Sequence, residues 1–168
     1  IFTFQPDESV VVEPVFYQME VKNTLDDNLM LFYTKLKRDA SEVLKTQNRA
    51  ISKKRKVLQK MRDLVHPLKD VLSGKNNVNV FGEILHKNWM LKKSITDQVS
   101  SAKIDVYYDK AIAAGAIGGK LLGAGGGGFL LFYVEKKNQN SVREVLSELY
   151  ELKFELDTDG TRITYYDQ

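Results

Sequence analysis

Gly115-Ala116-Ile117-Gly118-Gly119-Lys120-Leu121-Leu122-Gly123-Ala124-Gly125-Gly126-Gly127-Gly128-Phe129-Leu130-Leu131-Phe132-Tyr133-Val134 is the stretch whose reading decides the fold. Eight of the eleven glycines of the chain fall between Gly115 and Gly128, so the enrichment is a local device. Gly123-x-Gly125-x-x-Gly128 matches the spacing of a dinucleotide fingerprint. That fingerprint has to open a helix, whose N-terminus holds the pyrophosphate. Here an aromatic and aliphatic run, Phe129 to Val134, follows the glycines and calls for a strand. A Walker loop fails as well, because no Lys-Ser or Lys-Thr follows. The stretch is therefore expected to be strand, loop, strand.

Four consecutive glycines permit positive φ and leave no Cβ above the backbone. One use for such a loop is an anion nest, with a ligand lying directly on the peptide N–H groups. The other is a tight connection where two segments pack closely. Lys120 stands just before the loop, and strand alternation turns it away from the loop.

Outward from the loop, Ser101 is placed to cap a helix with Ile104, Tyr108, Ala111 and Ile112 on one face, closed by Gly115 at C′. Asn76, Asn77 and Asn79 offer caps for a helix carrying Phe81, Ile84, Leu85 and Trp89. Val57, Met61, Leu64, Val65, Leu68, Val71 and Leu72 continue a helical period that Pro67 should kink and Ser73-Gly74 should end. Ala40, Val43, Leu44 and Gln47 begin another helix. Before the helices, Val10 to Val12, Val15 to Val21 and Leu29 to Thr34 read as strands, with Asp26-Asp27-Asn28 as a turn. After Val134, Ser141 and Glu144 make a capping box ahead of Val142, Val145, Leu146 and Leu149. Leu152, Phe154 and Leu156 then alternate into a strand, and Asp159-Gly160 turns a terminal hairpin through Ile163 and Tyr165. Strands and helices are partly segregated, so the fold class is α+β with a mainly antiparallel sheet packed with helices.

Bulk properties narrow the function classes. A 168-residue chain with 43% hydrophobic and 28% charged residues suits one globular domain with a sizeable core. No apolar run approaches the roughly 18 residues that a membrane span needs. The formal charge of +3 is too small to argue for nucleic acid. The basic run Lys53-Lys54-Arg55-Lys56 carries no interleaved aromatics and reads as a solvated helix start. Zero cysteines exclude disulfides and thiolate metal sites and suit a reducing cytoplasm. His66 and His86 stand apart from any carboxylate cluster, so no metal site is expected. Ile1-Phe2-Thr3-Phe4 reads as strand interior, not a signal peptide, and the numbering is expected to start partway through a longer polypeptide.

The segment Gly115 to Phe129 resembles the third signature motif of the GHMP kinases. Trp89-Met90-Leu91-Lys92-Lys93 and Ile95-Thr96 resemble elements of the branch that phosphorylates D-glycero-D-manno-heptose 7-phosphate, and the likeness covers nearly the whole chain. It implies a ferredoxin-like C-terminal domain over residues 1–168, with the last strands of a preceding domain at about 1–22. It implies ATP- and Mg2+-dependent phosphoryl transfer to a sugar or sugar phosphate, at a cleft shared with an N-terminal ATP-binding domain. In such a cleft Gly123, Ala124, Gly125, Gly126, Gly127 and Gly128 would line the phosphate and substrate region. Arg38, Lys92 and Lys93 are the candidates for a substrate phosphate, since cations suit a dianion. Trp89 reads as a core anchor.

The family's Pro-x-x-x-Gly-Leu-Gly-Ser-Ser loop, its first motif and the residue that assists the attacking hydroxyl do not occur in this sequence. No catalytic residue is assigned, and the chain alone is expected to be inactive. Thr34-Lys35-Leu36-Lys37-Arg38-Asp39-Ala40-Ser41 departs from the branch, which carries a glycine after the threonine. A non-catalytic ferredoxin-like module for ligand binding or dimerisation is the rival expectation. Apolar surface left open by a missing half would also favour a homo-dimer.

Overall fold

The structure, a computed structural model, describes residues 1–36, 40–123, 125–157 and 165, without the side chains of residues 40, 42, 43 and 47. The terminal hairpin expected around Asp159-Gly160 lies outside the described residues. A two-stranded antiparallel ribbon, β1 (Phe2–Phe4) with β2 (Val10–Val12), precedes the main body. The main sheet contains β3 (Leu29–Tyr33), β4 (Gly118–Leu121), β5 (Phe129–Tyr133) and β6 (Tyr150–Leu152), in the order β4-β5-β3-β6. Every neighbouring pair is antiparallel.

A block of helices connects β3 to β4: α2 (Ala40–Ala50), α3 (Arg55–Arg62), α4 (Val65–Leu72), α5 (Asn79–Lys93) and α6 (Ala102–Ala113). The short α7 (Gln139–Val145) returns the chain from β5 to β6. That sequence of connections and that strand order make a split βαβ, ferredoxin-like sheet with an enlarged first crossover. The fold is α+β, with antiparallel strands packed against helices.

Alternation along the strands builds the core. Met30 and Phe32 of β3 face Leu130 and Phe132 of β5 and Leu121 of β4, all buried. They pack with Ile104, Tyr108 and Ala111 of α6 and with Val142 and Leu146 at α7. Burying each such side chain is worth about 1.5–3 kcal/mol. Tyr108 locks the seam between layers, its hydroxyl donating to the Gly119 carbonyl at 3.3 Å and lying 2.8 Å from His86 Nδ1, from which it can accept. Burial holds its phenol protonated well above the usual range.

α5 runs beside edge strand β4 at backbone distance, because glycines stand on both sides of the seam. A Cβ at Gly118 would run into the carbonyl of Gly82, and one at Gly82 would lie 2.9 Å from Ile117 Cγ2.

Several elements differ from the sequence expectations. Val15 to Val21 is not a strand: residues Met19–Asn28 form α1. Residues 15–18 form neither helix nor strand, and the helical face runs past the alternating stretch, with Val21, Leu25 and Asn28 as its buried positions. Asp26-Asp27-Asn28 is the end of that helix, not a turn, and Asp26 takes a 2.6 Å ion pair from Lys22 one turn earlier. The run expected as one Pro67-kinked helix is split at Asp63-Leu64 into α3 and α4. The residue four before Pro67 is Asp63, whose carbonyl the ring would strike, so the break falls there and Pro67 sits in a first turn.

α7 starts at Gln139, placing Ser141 inside the helix rather than at its cap. Gln139 anchors the start by donating to Asp27 O at 2.7 Å and Val134 O at 3.2 Å. The last strand is shorter than expected. Beyond Leu152 the chain leaves β3 and follows α1, where Leu156 N–H donates to Asp26 Oδ1 at 2.9 Å. The end of α6 matches the expectation: the Ser101 hydroxyl accepts from Ile104 N–H. Gly115, at φ 103°, closes the helix with paired bonds from Gly115 N–H to Ile112 O and from Ala116 N–H to Ala111 O.

Candidate functional site

The glycine loop joins β4 to β5 and opens where the ladder ends, past Leu121↔Leu130 and a closing bond from Leu122 N–H to Phe129 O of 2.8 Å. Strand follows it, not helix, as the aromatic run requires. Gly123, Gly125, Gly126 and Gly128 all have positive φ, at 84°, 119°, 80° and 104°. In this region other residues carry a cost of roughly 1–2 kcal/mol each.

Neighbours on two sides hold the loop in place. On one side, Gly126 N–H donates to Val99 O at 3.0 Å. On the other, Gly128 N–H donates to Leu36 O at 3.1 Å, and Gly128 O accepts both the N–H of Thr34 at 2.9 Å and its hydroxyl at 2.8 Å. Thr34 is itself buried. A Cβ at Gly125 would stand 2.8 Å from Val99 O, and one at Gly127 would overlap Leu36 O. Close packing is thus built into the loop. The amides of Gly126 and Gly128 are consumed internally, whereas those of Gly123, Gly125 and Gly127 make no hydrogen bond to another described residue.

The Ile95-Thr96 step positions one of these braces. Ile95 is buried, and Thr96 caps the short 3-10 turn Asp97–Val99 by accepting from Gln98 N–H at 3.3 Å. Val99 then presents its carbonyl to the loop.

The cationic candidates separate. Lys92 reaches the loop, its ammonium donating to Gly123 O at 2.7 Å. Lys93, one residue on, faces elsewhere: it pairs with Asp105 at 3.0 Å and sits 5.9 Å from the Trp89 ring centroid and 5.8 Å from that of Tyr108. Trp89 is fully buried beside Tyr108. Arg38 and Ala124 lie outside the described residues. His86 is engaged with Tyr108.

Lys120 approaches from β4 to Asn88 Oδ1 at 3.5 Å, one helical turn before Lys92 on α5. Burial lowers the Lys120 pKa below the ordinary lysine value. Burial, and then the charge of Lys120, does the same to Lys92. Alternation along the strand turns Lys120 from the loop, and its ammonium goes to α5 instead. The backbone braces at Leu36 and Val99 left no signal in residue type at all.

Among known families, the chain matches the family described as "GHMP kinases C terminal" over residues 68–152. The D-glycero-alpha-D-manno-heptose 7-phosphate kinase of Campylobacter jejuni is 26% identical over 167 residues, covering 95% of this chain and 48% of that protein. Two solved structures share the fold. Mevalonate kinase of L. major in complex with R-mevalonate gives a TM-score of 0.68 at 16% identity, over 89% of this chain and 47% of that one. A D-glycero-D-manno-heptose 1-phosphate kinase of Bacteroides thetaiotaomicron gives 0.52 at 22% identity, over 92% and 40%. The chain spans about half the length of the relatives it matches. With a matched region that takes in α5, α6, the glycine loop and its flanking strands, the chain belongs to the GHMP kinases and carries their C-terminal domain.

Proposed function

We propose that this chain is the C-terminal part of an ATP-dependent small-molecule kinase whose acceptor is a sugar or sugar phosphate, with a heptose 7-phosphate the first acceptor to try. One observation carries the reading: a loop of four positive-φ glycines, braced at Val99 and Leu36 and held by the Lys92 ammonium, whose amides at Gly123, Gly125 and Gly127 bond no other described residue. Phosphoryl transfer is catalysed mostly by positioning and by neutralising charge, which fixed N–H groups and cations supply. The choice of a heptose rests on the Campylobacter relative and on Trp89-Met90-Leu91-Lys92-Lys93 with Ile95-Thr96.

The described residues fit the phosphate end of ATP better than they fit its metal. Loop amides and lysines suit phosphate oxygens. For Mg2+ the described residues offer no group of three or more His, Asp or Glu side chains, and magnesium needs carboxylates alongside phosphate oxygens. Metal ligands and the group that assists the acceptor hydroxyl are therefore assigned to the remaining half of the kinase, and the 168-residue chain is inactive alone.

The β1–β2 ribbon supports that division. All six of its residues are exposed, Phe2 at 68% and Phe4 at 78%, so it has the character of an edge awaiting a partner sheet. The test is ADP release by a polypeptide extended to the length of its relatives, supplied with ATP, Mg2+ and a panel of sugars, sugar phosphates and mevalonate. Turnover with a sugar or sugar phosphate is the expected result. Turnover with mevalonate alone, or with no acceptor at all, would overturn the reading.

A further inference from the structure

Lys92 and Lys120 are two cations that approach the same stretch of α5 beside the loop. Among the described residues neither forms a salt bridge, whereas the adjacent Lys93 pairs with Asp105. Each finds a neutral acceptor instead, Gly123 O for Lys92 and Asn88 Oδ1 for Lys120, which leaves further N–H donors on each ammonium. Asn88 and Lys92 are one turn apart on α5, so both ammonium groups approach the same helical face beside the loop.

Placing two like charges together, partly removed from water, is unfavourable. Burial lowers the pKa of both lysines, and the charge of Lys120 lowers that of Lys92 further. A carboxylate at the Asn88 position would relieve it, yet an amide stands there. An anion of charge near minus two placed between the two ammonium groups would offset that cost.

We propose that Lys92 and Lys120 form a phosphate subsite at the mouth of the glycine loop, which takes a phosphate dianion carried by a small-molecule substrate. Lys92 links the subsite to the loop, because the ammonium that meets the phosphate also holds the Gly123 peptide. The proposal rests on the kinase reading for the identity of the ligand, but phosphate binding itself is measurable without turnover.

The first measurement uses the unmodified protein at its relatives' length, titrated with inorganic phosphate while the side-chain Nζ and Cε resonances of its lysines are followed. Saturable shifts at Lys92 and Lys120, absent at Lys93, are expected. Shifts that do not saturate, or that spread equally over surface lysines, would overturn the subsite. Lys120→Met is expected to weaken phosphate binding roughly tenfold to a hundredfold, the worth of a charge-assisted hydrogen bond, and Lys120→Arg to restore most of it. Binding unchanged in Lys120→Met would also overturn it.

Kinetics then separate the sources of the phosphate. A KM raised about tenfold for a phosphorylated acceptor, with that for ATP unchanged, assigns the subsite to the acceptor. The reverse assigns it to the nucleotide, and no change in either refutes the subsite while leaving the kinase reading intact. A protein that binds phosphate here but turns over no acceptor refutes the kinase reading and leaves the subsite.

Discussion

Gly127 and Gly123 stand in the same loop for different reasons, and single substitutions separate them. A Cβ at Gly127 would overlap the Leu36 carbonyl oxygen, backbone that cannot swing aside. Gly127→Ala is therefore expected to destabilise the fold by about 1–3 kcal/mol, which lowers Tm by several degrees in a chain of this size. Gly123 is exposed, with nothing within 4 Å of where a Cβ would stand. Its φ of 84° makes Gly123→Ala cost about 1–2 kcal/mol. The same methyl would stand between the loop and any bound phosphate. Thermal melts and phosphate titrations of the two variants should show the larger loss of stability in Gly127→Ala and the larger loss of binding per kcal/mol in Gly123→Ala. Equal loss of binding at equal stability cost would mean that the loop is only a packing device.

At the scale of elements, the seam between α5 and β4 carries the two lysines of the proposed subsite. Helix propensity and packing make opposite predictions for Gly82→Ala. Alanine gains about 1 kcal/mol in a helix interior, while its Cβ would lie 2.9 Å from Ile117 Cγ2 and 3.0 Å from Tyr133 Cδ1. Both neighbours are fixed in the packed seam, and overpacking costs about 1–3 kcal/mol. The expected outcome is a lower melting temperature despite the better helix former. A higher one would show that α5 has room to move off β4, and Lys92 with it.

Gly82 also shows where sequence reading stops. The strand–loop–strand unit was legible because aromatic alternation and glycine clustering are local, and so was α6, with Ser101 before it and Gly115 after it. α1 was not, since the alternation of Val15 to Val21 masks a helical period that begins at Val21 and Leu25, whose burial depends on the distant Leu72 and Tyr133. Within the candidate site the glycines and Lys92 were legible by type. Lys120 was hidden because its significance depends on Asn88, 32 residues away and across the seam.

For the whole molecule, the distribution of apolar surface matters most. Phe2, Phe4, Val10, Val11, Val12 and Phe16 are exposed at one end, while the main core is closed around Trp89, Tyr108 and Phe132. On the proposed reading that end meets the other half of the kinase, and the glycine loop forms one wall of the cleft between them. The 168-residue chain alone should then associate as concentration rises, seen as a growing mass in sedimentation. An extended polypeptide should not do so through this end.

The central claim is that the loop acts on the transferred phosphate. Phosphorus NMR of the extended polypeptide, with ATP, Mg2+ and its best sugar or sugar-phosphate acceptor, tests this most directly when the protein is compared with its Gly126→Val variant. Gly126 has φ 80° and an amide committed to Val99, so a branched side chain there distorts the loop at its brace. Transfer of the γ-phosphoryl group by the unmodified protein, slowed by roughly a hundredfold or more in a folded variant, is the predicted result. Equal rates of transfer in the two proteins would contradict it.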